Sequence, residues 1–137
     1  MLTWSVFVVS LGWQPSSKSS KYTVRHEAAE STSISDSTQD LVSLCLVAHE
    51  SPKWVSKNIF AEAFRILRPG GYFTMLDLDK ENLENLLENP FVAAIYKRTE
   101  PYMSEFLKLD PRRDLAEAGF TVVEVAFMQL NYLIVST

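Results

Sequence analysis

A strand, a helix and a second strand follow one another between Asp40 and Leu78, and this unit constrains the fold more than any other feature. The first strand is a continuous apolar run, Asp40–Ala48, with polar residues at both ends. A strand that is apolar on both faces is typical of the interior of a parallel sheet that helices cover. We therefore expect this run to lie in the middle of such a sheet.

The helix of this unit is indicated by its start, its apolar spacing and its end. Ser51-Pro52 is a typical helix start, and Pro69-Gly70-Gly71 predicts a sharp stop before a strand over Tyr72–Leu78. Apolar residues recur at helical spacing between these points: Trp54, Ile59, Ala63, Phe64 and Leu67. Together these segments predict one βαβ unit, in which the two glycines serve the turn and bind no ligand.

The segments on either side of this unit contain a short strand and a series of helices. Tyr22–His26 alternates between apolar and polar residues like a strand, and a polar loop follows it. Residues 79–109 are helical in character, with an interruption at Pro90. We expect Asp77 and Asp79 to form a solvated strand end, although a contact with substrate is the alternative.

The end of the chain predicts a helix and two strands. Pro111 is well placed as the first residue of a helix, and Gly119 lies just past its end. The strands Phe120–Met128 and Asn131–Ser136 are too close in sequence for a parallel crossover, so they must be antiparallel neighbours. The fold class is therefore α/β, with a mostly parallel sheet and an antiparallel strand pair at the C-terminus.

Composition excludes several classes of function. The 137 residues suit one domain, and a net charge of −4 disfavours a protein that binds nucleic acid. The single cysteine, Cys45, excludes an internal disulfide and a cysteine-rich zinc site, and we expect no metal site. No apolar run approaches the roughly 20 residues that would span a bilayer. We expect a cytoplasmic protein, and an acid-poor N-terminus keeps a plastid or a mitochondrion as the alternative.

Four stretches of this sequence together resemble a known enzyme family. They are Ala28-Ala-Glu30, Asp40–Glu50, Phe60–Phe73 with its Leu-Arg-Pro-Gly-Gly turn, and Leu115–Phe120. In this order they resemble the C-terminal half of class I S-adenosylmethionine-dependent methyltransferases, of the small-molecule kind called type 11. The resemblance predicts a truncated methyltransferase domain over residues 22–137, with a helical insertion at 80–110. Residues 1–21 are a segment that does not resemble the family.

The resemblance implies a partial doubly wound, Rossmann-like sheet. The family's strand order is 3-2-1-4-5-7-6, and a glycine-rich loop after its first strand holds the methionine end of the cofactor. This sequence has four glycines, and none forms such a loop: Gly12, Gly70, Gly71 and Gly119. The first two strands are therefore expected to be missing. Leu41–Val47 would lose one neighbour, and Ser5–Leu11 has the composition of a strand that could take the vacated place.

The resemblance also implies site residues. His49 and Glu50 follow the buried strand at the edge where ligands bind in open α/β sheets, so we interpret them as catalytic. The alternative for His49 is a helix cap or a bond to the backbone. Residues matching the family's S-adenosylmethionine-contacting positions are Ala28, Ala29, Glu30, Leu44 and Cys45. Cys45 is otherwise a small buried hydrophobe, and Ala28 replaces the aspartate that the family uses for the adenine amine.

Two functions from different classes remain open. The first is a methyltransferase that acts on a small molecule and is impaired or inactive as this truncated chain. The second is a non-catalytic remnant that binds a protein partner, or a second copy of itself, through its exposed strand. An incomplete gene product is a third alternative. A lid over the substrate could come from four residues of the insertion, namely Tyr96, Arg98, Glu100 and Tyr102.

Overall fold

The computed structural model describes residues 6–12, 21–121, 123–128 and 131–136. Its strands are β1 Val6–Gly12, β2 Lys21–Glu27, β3 Gln39–Cys45, β4 Leu67–Leu78, β5 Val123–Met128 and β6 Asn131–Ser136. Its helices are α1 Lys53–Ile66, α2 Lys80–Leu87, α3 Pro90–Thr99, α4 Met103–Leu107 and α5 Pro111–Ala118. A single 3₁₀ turn, Ala48–Glu50, connects β3 to the start of α1.

The main sheet contains four strands in the order β3-β4-β6-β5. β3 and β4 are parallel, whereas β6 pairs antiparallel with both β4 and β5. This order reproduces 4-5-7-6, the last four places of the order that the resemblance implies. The predicted α/β class, the βαβ unit and the C-terminal strand pair are therefore confirmed. Among the described strands β3 has one neighbour, β4, and its other edge pairs with none of them, as predicted.

The two N-terminal strands form a separate sheet. β1 pairs antiparallel with β2, from Val6 opposite Glu27 to Gly12 opposite Lys21. The prediction that Ser5–Leu11 occupies the place beside Leu41–Val47 is therefore wrong. Two strands that are close in sequence can satisfy each other's backbone groups in an antiparallel ladder without a crossover. Ser5 itself lies outside the described residues.

The core lies between the four-stranded sheet and the helices. Fifteen buried hydrophobic residues form one cluster, including Ile59, Phe60 and Ala63 of α1 and Phe73 and Met75 of β4. The Phe60 and Phe73 rings meet edge-on with centroids 5.8 Å apart. Aromatic pairs of this kind stabilise a fold by about 1 kcal/mol beyond the area that they bury. This packing fixes α1 against β4.

Not every apolar residue of α1 faces that core. Trp54 is 62% exposed and Phe64 is 46% exposed, although both fit the helical spacing. Leu67 is buried but belongs to β4, because the helix ends at Ile66. The apolar pattern therefore predicts the helix correctly and overstates the width of its buried face.

The Pro69-Gly70-Gly71 segment is a bulge inside β4 rather than a turn before it. Gln39 pairs with Leu67, but Leu41 pairs with Tyr72, so extra residues of β4 loop out between these pairs. Gly70 adopts φ +82°, a conformation that favours glycine. The predicted strand start at Tyr72 is therefore too late, because the backbone pairs with β3 on both sides of the bulge.

The two faces of β3 differ in exposure. Leu44 is buried in the core, whereas Leu41 is 57% exposed and Cys45 is also exposed. Tyr72, opposite Leu41 on β4, is 51% exposed. The predictions of a strand covered on both faces and of a buried Cys45 are therefore wrong. In the described part of the chain, nothing packs over the face that carries these three side chains.

The C-terminal elements agree with their sequence signals. Asp110 caps α5 by accepting the backbone N–H of Arg113, and Pro111 is the first helical residue. Gly119 follows the helix with φ +111°, as its position predicts. The two residues between the predicted C-terminal strands, 129 and 130, lie outside the described residues. Within the part of the chain described here, no helix is long and apolar enough to cross a bilayer.

Candidate functional site

The candidate site lies where β3 and β4 end, at their shared carboxyl edge. His49 sits in the 3₁₀ turn after β3, and Asp77 is the last residue but one of β4. The two residues are 28 positions apart in sequence. They come together because the carboxyl ends of parallel neighbours lie at the same edge of a sheet. This is also the edge at which ligands bind in open α/β folds.

Asp77 holds His49 through a short hydrogen bond. The distance between His49 Nδ1 and Asp77 Oδ1 is 2.6 Å. Backbone N–H groups donate to the same carboxylate, from Ala48 to Oδ2 at 2.9 Å and from Leu78 to Oδ1 at 2.8 Å. Asp77 is fully buried and His49 is 9% exposed. Asp77 is therefore a fixed acceptor, and Nδ1 is the nitrogen of His49 that carries the proton.

This arrangement leaves His49 Nε2 available for chemistry. Because Nδ1–H donates to Asp77, Nε2 of the neutral ring has a lone pair. The hydrogen bond to Asp77 raises the pKa of His49 above its usual range, although burial opposes the change. The Phe106 ring meets the imidazole edge-on, with centroids 6.2 Å apart. Nε2 can therefore accept a proton or bind a metal ion.

Two glutamates face the open side of the imidazole. Glu50 Oε1 lies 3.8 Å from His49 Nε2, and the Glu50 side chain is 61% exposed. Glu100, at the end of α3, contributes a carboxylate, and the three potential ligand atoms lie within 4.8 Å of one another. Both glutamates contribute to the raised pKa of His49. The catalytic role of His49 and Glu50 stays a prediction, now with a defined geometry.

The sequence does not predict that Asp77 and Glu100 lie beside His49. A solvated strand end at Asp77 and Asp79 is wrong, because both are buried, and Asp79 accepts the Asn82 N–H at the start of α2. The alternative predicted for His49 is a helix cap or a bond to the backbone. Its Nδ1 instead bonds to the side chain of Asp77. The proximity of Glu100 depends on how α3 and α4 pack, and no spacing in the sequence signals it.

The residues predicted to contact the cofactor lie in two places. Ala28, Ala29 and Glu30 follow β2, and Ser31 donates its N–H to Ala28 O at 3.1 Å. Ala29 packs against the core. Leu44 and Cys45 end β3, with the Leu44 side chain buried and Cys45 exposed. These contacts with a cofactor stay predictions.

Comparison with known families agrees with the fold. A family model described as a methyltransferase domain matches residues 9–75, just under half of the chain. The matched range runs from β1 into β4 and includes His49. It starts inside the segment 1–21, and the domain boundary at residue 22 stays a prediction. No curated protein matches the sequence significantly.

Solved structures that resemble this fold include S-adenosylmethionine-dependent methyltransferases. An S-adenosylmethionine-dependent methyltransferase from Methanosarcina mazei is 20% identical with a TM-score of 0.55, and the alignment covers 80% of this chain and 64% of that one. One from Archaeoglobus fulgidus is 11% identical with a TM-score of 0.56, covering 76% and 61%. Human N-acetylserotonin methyltransferase, in complex with S-adenosylmethionine, is 14% identical with a TM-score of 0.55, covering 82% and 32%. This chain spans less than two-thirds of each.

The residues present fit one part of S-adenosylmethionine better than the other. Glu30 Oε2 is buried and has no hydrogen-bond partner among the described residues. An adenine amine is a donor of the kind that such an acceptor requires. The methionine end has no counterpart, because none of the four glycines lies in a glycine-rich loop. Glu30 therefore fits the adenine end of the cofactor as a hydrogen-bond acceptor, and these residues offer no glycine-rich loop for the methionine end.

Proposed function

Because the chain carries a class I S-adenosylmethionine-dependent methyltransferase-like domain, we propose that it acts in methyl transfer to a small molecule whose accepting atom carries a proton, such as a hydroxyl. The observation that supports this acceptor is His49, held by buried Asp77 at the carboxyl edge of the sheet. S-adenosylmethionine supplies an activated methyl group on a sulfonium. The protein's own task is to position the acceptor and to remove its proton.

His49 is the proton acceptor in this proposal. Its Nε2 takes the hydroxyl proton of the acceptor, and the oxygen becomes the stronger nucleophile. Asp77 keeps the ring in one tautomer and stabilises the positive charge that the imidazole gains. A well-placed general base of this kind contributes about 100- to 10,000-fold to a rate. The buried ring and the adjacent Phe106 limit the access of water to this pair.

We further propose that this 137-residue chain is impaired in cofactor binding. The support is the absence of a glycine-rich loop from these 137 residues and an alanine, Ala28, where the family places an aspartate. The missing loop removes the hydrogen bonds to the methionine end, and Ala28 leaves Glu30 as the one acceptor proposed for the adenine amine. We expect weak binding of S-adenosylmethionine and slow turnover.

A panel of acceptors tests the role of His49. The chain is incubated with labelled S-adenosylmethionine and a phenol, an aliphatic hydroxy acid or a thiol that is already ionised. Wild type should methylate a hydroxyl acceptor slowly, and His49→Gln should lower that rate about 100-fold or more. The same variant should change the rate for the ionised thiol little, since that acceptor has no proton to lose.

The control for this assay is the second histidine. His26→Gln changes a histidine outside the candidate site and should leave both rates unchanged. If His49→Gln lowered the rate of methyl transfer equally for the hydroxyl and the thiol acceptor, His49 would not act as a base. No transfer to any acceptor, with no heat from S-adenosylmethionine at millimolar concentration, would exclude catalysis by this chain.

A second candidate function is partner binding through the unpaired edge of β3. The observation that favours it is the exposed Leu41 and Cys45 on a strand with one described neighbour. Unpaired strand edges attract other chains. Sedimentation over a range of concentrations would detect self-association, and Leu41→Lys should abolish it. A monomer at all concentrations would exclude self-association.

The proposed compartment is the cytoplasm, and a plastid or a mitochondrion is the alternative. The support is one exposed thiol, Cys45, which suits a reducing environment. Imaging of a C-terminal fluorescent fusion distinguishes these compartments.

A further inference from the structure

We infer that His49, Glu50 and Glu100 form a binding site for a divalent first-row metal ion, with zinc as the cation to test. This inference goes beyond the proposed methyl transfer and does not depend on it. It rests on three potential ligands from two separate elements that converge on one point. The 3₁₀ turn after β3 supplies His49 and Glu50, and the end of α3 supplies Glu100.

The distances suit a cation after a small closure. The three ligand atoms lie within 4.8 Å of one another, and His49 Nε2 is 3.8 Å from Glu50 Oε1. Tetrahedral zinc bonds of about 2.0–2.2 Å place neighbouring ligands about 3.4 Å apart. Rotation of the exposed Glu50 side chain and a small shift of Glu100 would provide this closure. One imidazole and two carboxylates leave a fourth position for water.

Buried Asp77 is the observation that separates this group from an ordinary acidic cluster. A histidine that binds a metal almost always donates its other ring N–H to a carboxylate or carbonyl, which orients the ring and raises its basicity. Here His49 Nδ1 lies 2.6 Å from Asp77 Oδ1. Asp77 is fully buried and accepts two further backbone bonds. The ring is therefore already oriented with Nε2 toward the two glutamates.

The backbone positions of both glutamates are also fixed. The Glu50 N–H donates to Val47 O at 3.2 Å within the 3₁₀ turn. The Glu100 N–H donates to Tyr96 O at 2.7 Å, and Glu100 O accepts the Met103 N–H at 3.2 Å. A site whose ligands are already close loses little conformational entropy when it binds a cation. One imidazole and two carboxylates suit zinc and other divalent first-row ions, and zinc is the probe because it has no redox chemistry of its own.

Occupation of this site would have a consequence for catalysis. Nε2 has a single lone pair, so it cannot bind a cation and accept a proton from an acceptor at the same time. We therefore expect zinc to inhibit the proposed methyl transfer to hydroxyl acceptors. The cation would act by occupying the base rather than by displacing the cofactor.

Calorimetric titration with zinc chloride tests the site in the 137-residue chain, without S-adenosylmethionine or acceptor. Wild type should bind one zinc ion in the micromolar range. His49→Gln and Glu100→Gln should each weaken binding at least 10-fold. Glu88→Gln, a change of an exposed carboxylate on another element, is the matched control and should leave binding unchanged.

A second variant separates ligand loss from misfolding. Asp77→Asn keeps the shape of the side chain and should weaken zinc binding about 10- to 100-fold, as outer-sphere partners of metal ligands do. Circular dichroism checks that each variant is folded. No saturable binding at millimolar zinc, or equal affinities in wild type and folded His49→Gln, would overturn the inference. Neither result bears on methyl transfer, because the titration contains no cofactor.

Discussion

At the scale of single residues, the site depends on a pair that no local pattern reveals. The position of His49 after an apolar strand marks it as a candidate from sequence. Its partner, Asp77, is 28 residues away and is identified only when β3 and β4 are placed side by side. Backbone N–H groups from both strand ends complete the carboxylate's hydrogen bonds. Removing one partner of such a buried pair is costly, since it leaves the other unsatisfied.

Gly71 allows the β4 bulge to approach β3 closely. A Cβ at this position would lie 2.9 Å from Leu67 Cδ2 and 3.2 Å from Asp40 O. We expect Gly71→Ala to lower the free energy of unfolding by about 2 kcal/mol, as overpacking does. Urea denaturation of wild type and variant measures this loss.

Gly70→Ala is the matched comparison for this prediction. Gly70 has φ +82°, and a Cβ added there would meet no atom within 4 Å, so alanine at this position carries backbone strain alone. That strain is about 1 kcal/mol, and Gly70→Ala should be the milder change. If Gly70→Ala lowered the free energy of unfolding more than Gly71→Ala, the close approach of the β4 bulge to β3 at Gly71 would be contradicted.

At the scale of elements, α1 holds the loop that follows β2 through the side chains of Glu62 and Arg65. Glu62 accepts both the N–H and the hydroxyl of Thr32, at 2.7 and 2.6 Å. Arg65 contacts Glu62 at 2.7 Å and donates to Ile34 O at 2.8 Å. The ion pair with Arg65 comes first among the interactions that lower the pKa of Glu62 to about 2. Glu62 and Arg65 together position the loop after β2, which also contains the residues predicted to contact the cofactor.

This low pKa predicts how stability depends on pH. The pKa of Glu62 is about 2 in the folded chain against 4.5 without these contacts. Its contribution to stability is therefore complete above pH 4.5 and is lost as the pH falls toward 2. We expect Glu62→Gln to lower the free energy of unfolding at neutral pH by roughly 2 kcal/mol. The difference in the free energy of unfolding between wild type and Glu62→Gln should become smaller as the pH falls, and urea denaturation at several pH values measures it.

Glu84→Gln is the control for this prediction. Glu84 is exposed on α2, so its replacement should leave the free energy of unfolding at neutral pH close to that of wild type. If the free energies of unfolding of wild type and Glu62→Gln differed by the same amount at neutral and at acid pH, the stabilising role of the ionised Glu62 would be contradicted.

The sequence predicts the elements better than it predicts their surroundings. The βαβ unit and α5 are recognisable because apolar runs, prolines and glycines mark their limits locally. The bulge at Gly70 and Gly71 escapes prediction because its pairing depends on the register with β3. The exposure of Cys45 also escapes it, because apolar composition does not tell which face of a strand another element covers.

At the scale of the whole molecule, the strand order is the feature that relates this chain to methyltransferases. The order β3-β4-β6-β5 matches the last four places of the family's sheet, and the separate β1-β2 pair stands outside it. This order could be predicted from the resemblance. The convergence of Glu100 on His49 could not, because it depends on how the helices between β4 and α5 fold back over the sheet edge.

The most direct measurement is the tautomer of His49, because it depends on the register of β3 and β4 as well as on the site. Nitrogen-15 NMR of histidine-labelled protein, at alkaline pH where the imidazole is neutral, distinguishes the two ring nitrogens. His26→Gln assigns the two histidine signals. We predict the proton on Nδ1 of His49, and its loss from that nitrogen in Asp77→Asn. A proton on Nε2 in wild type, unchanged in the variant, would contradict the account.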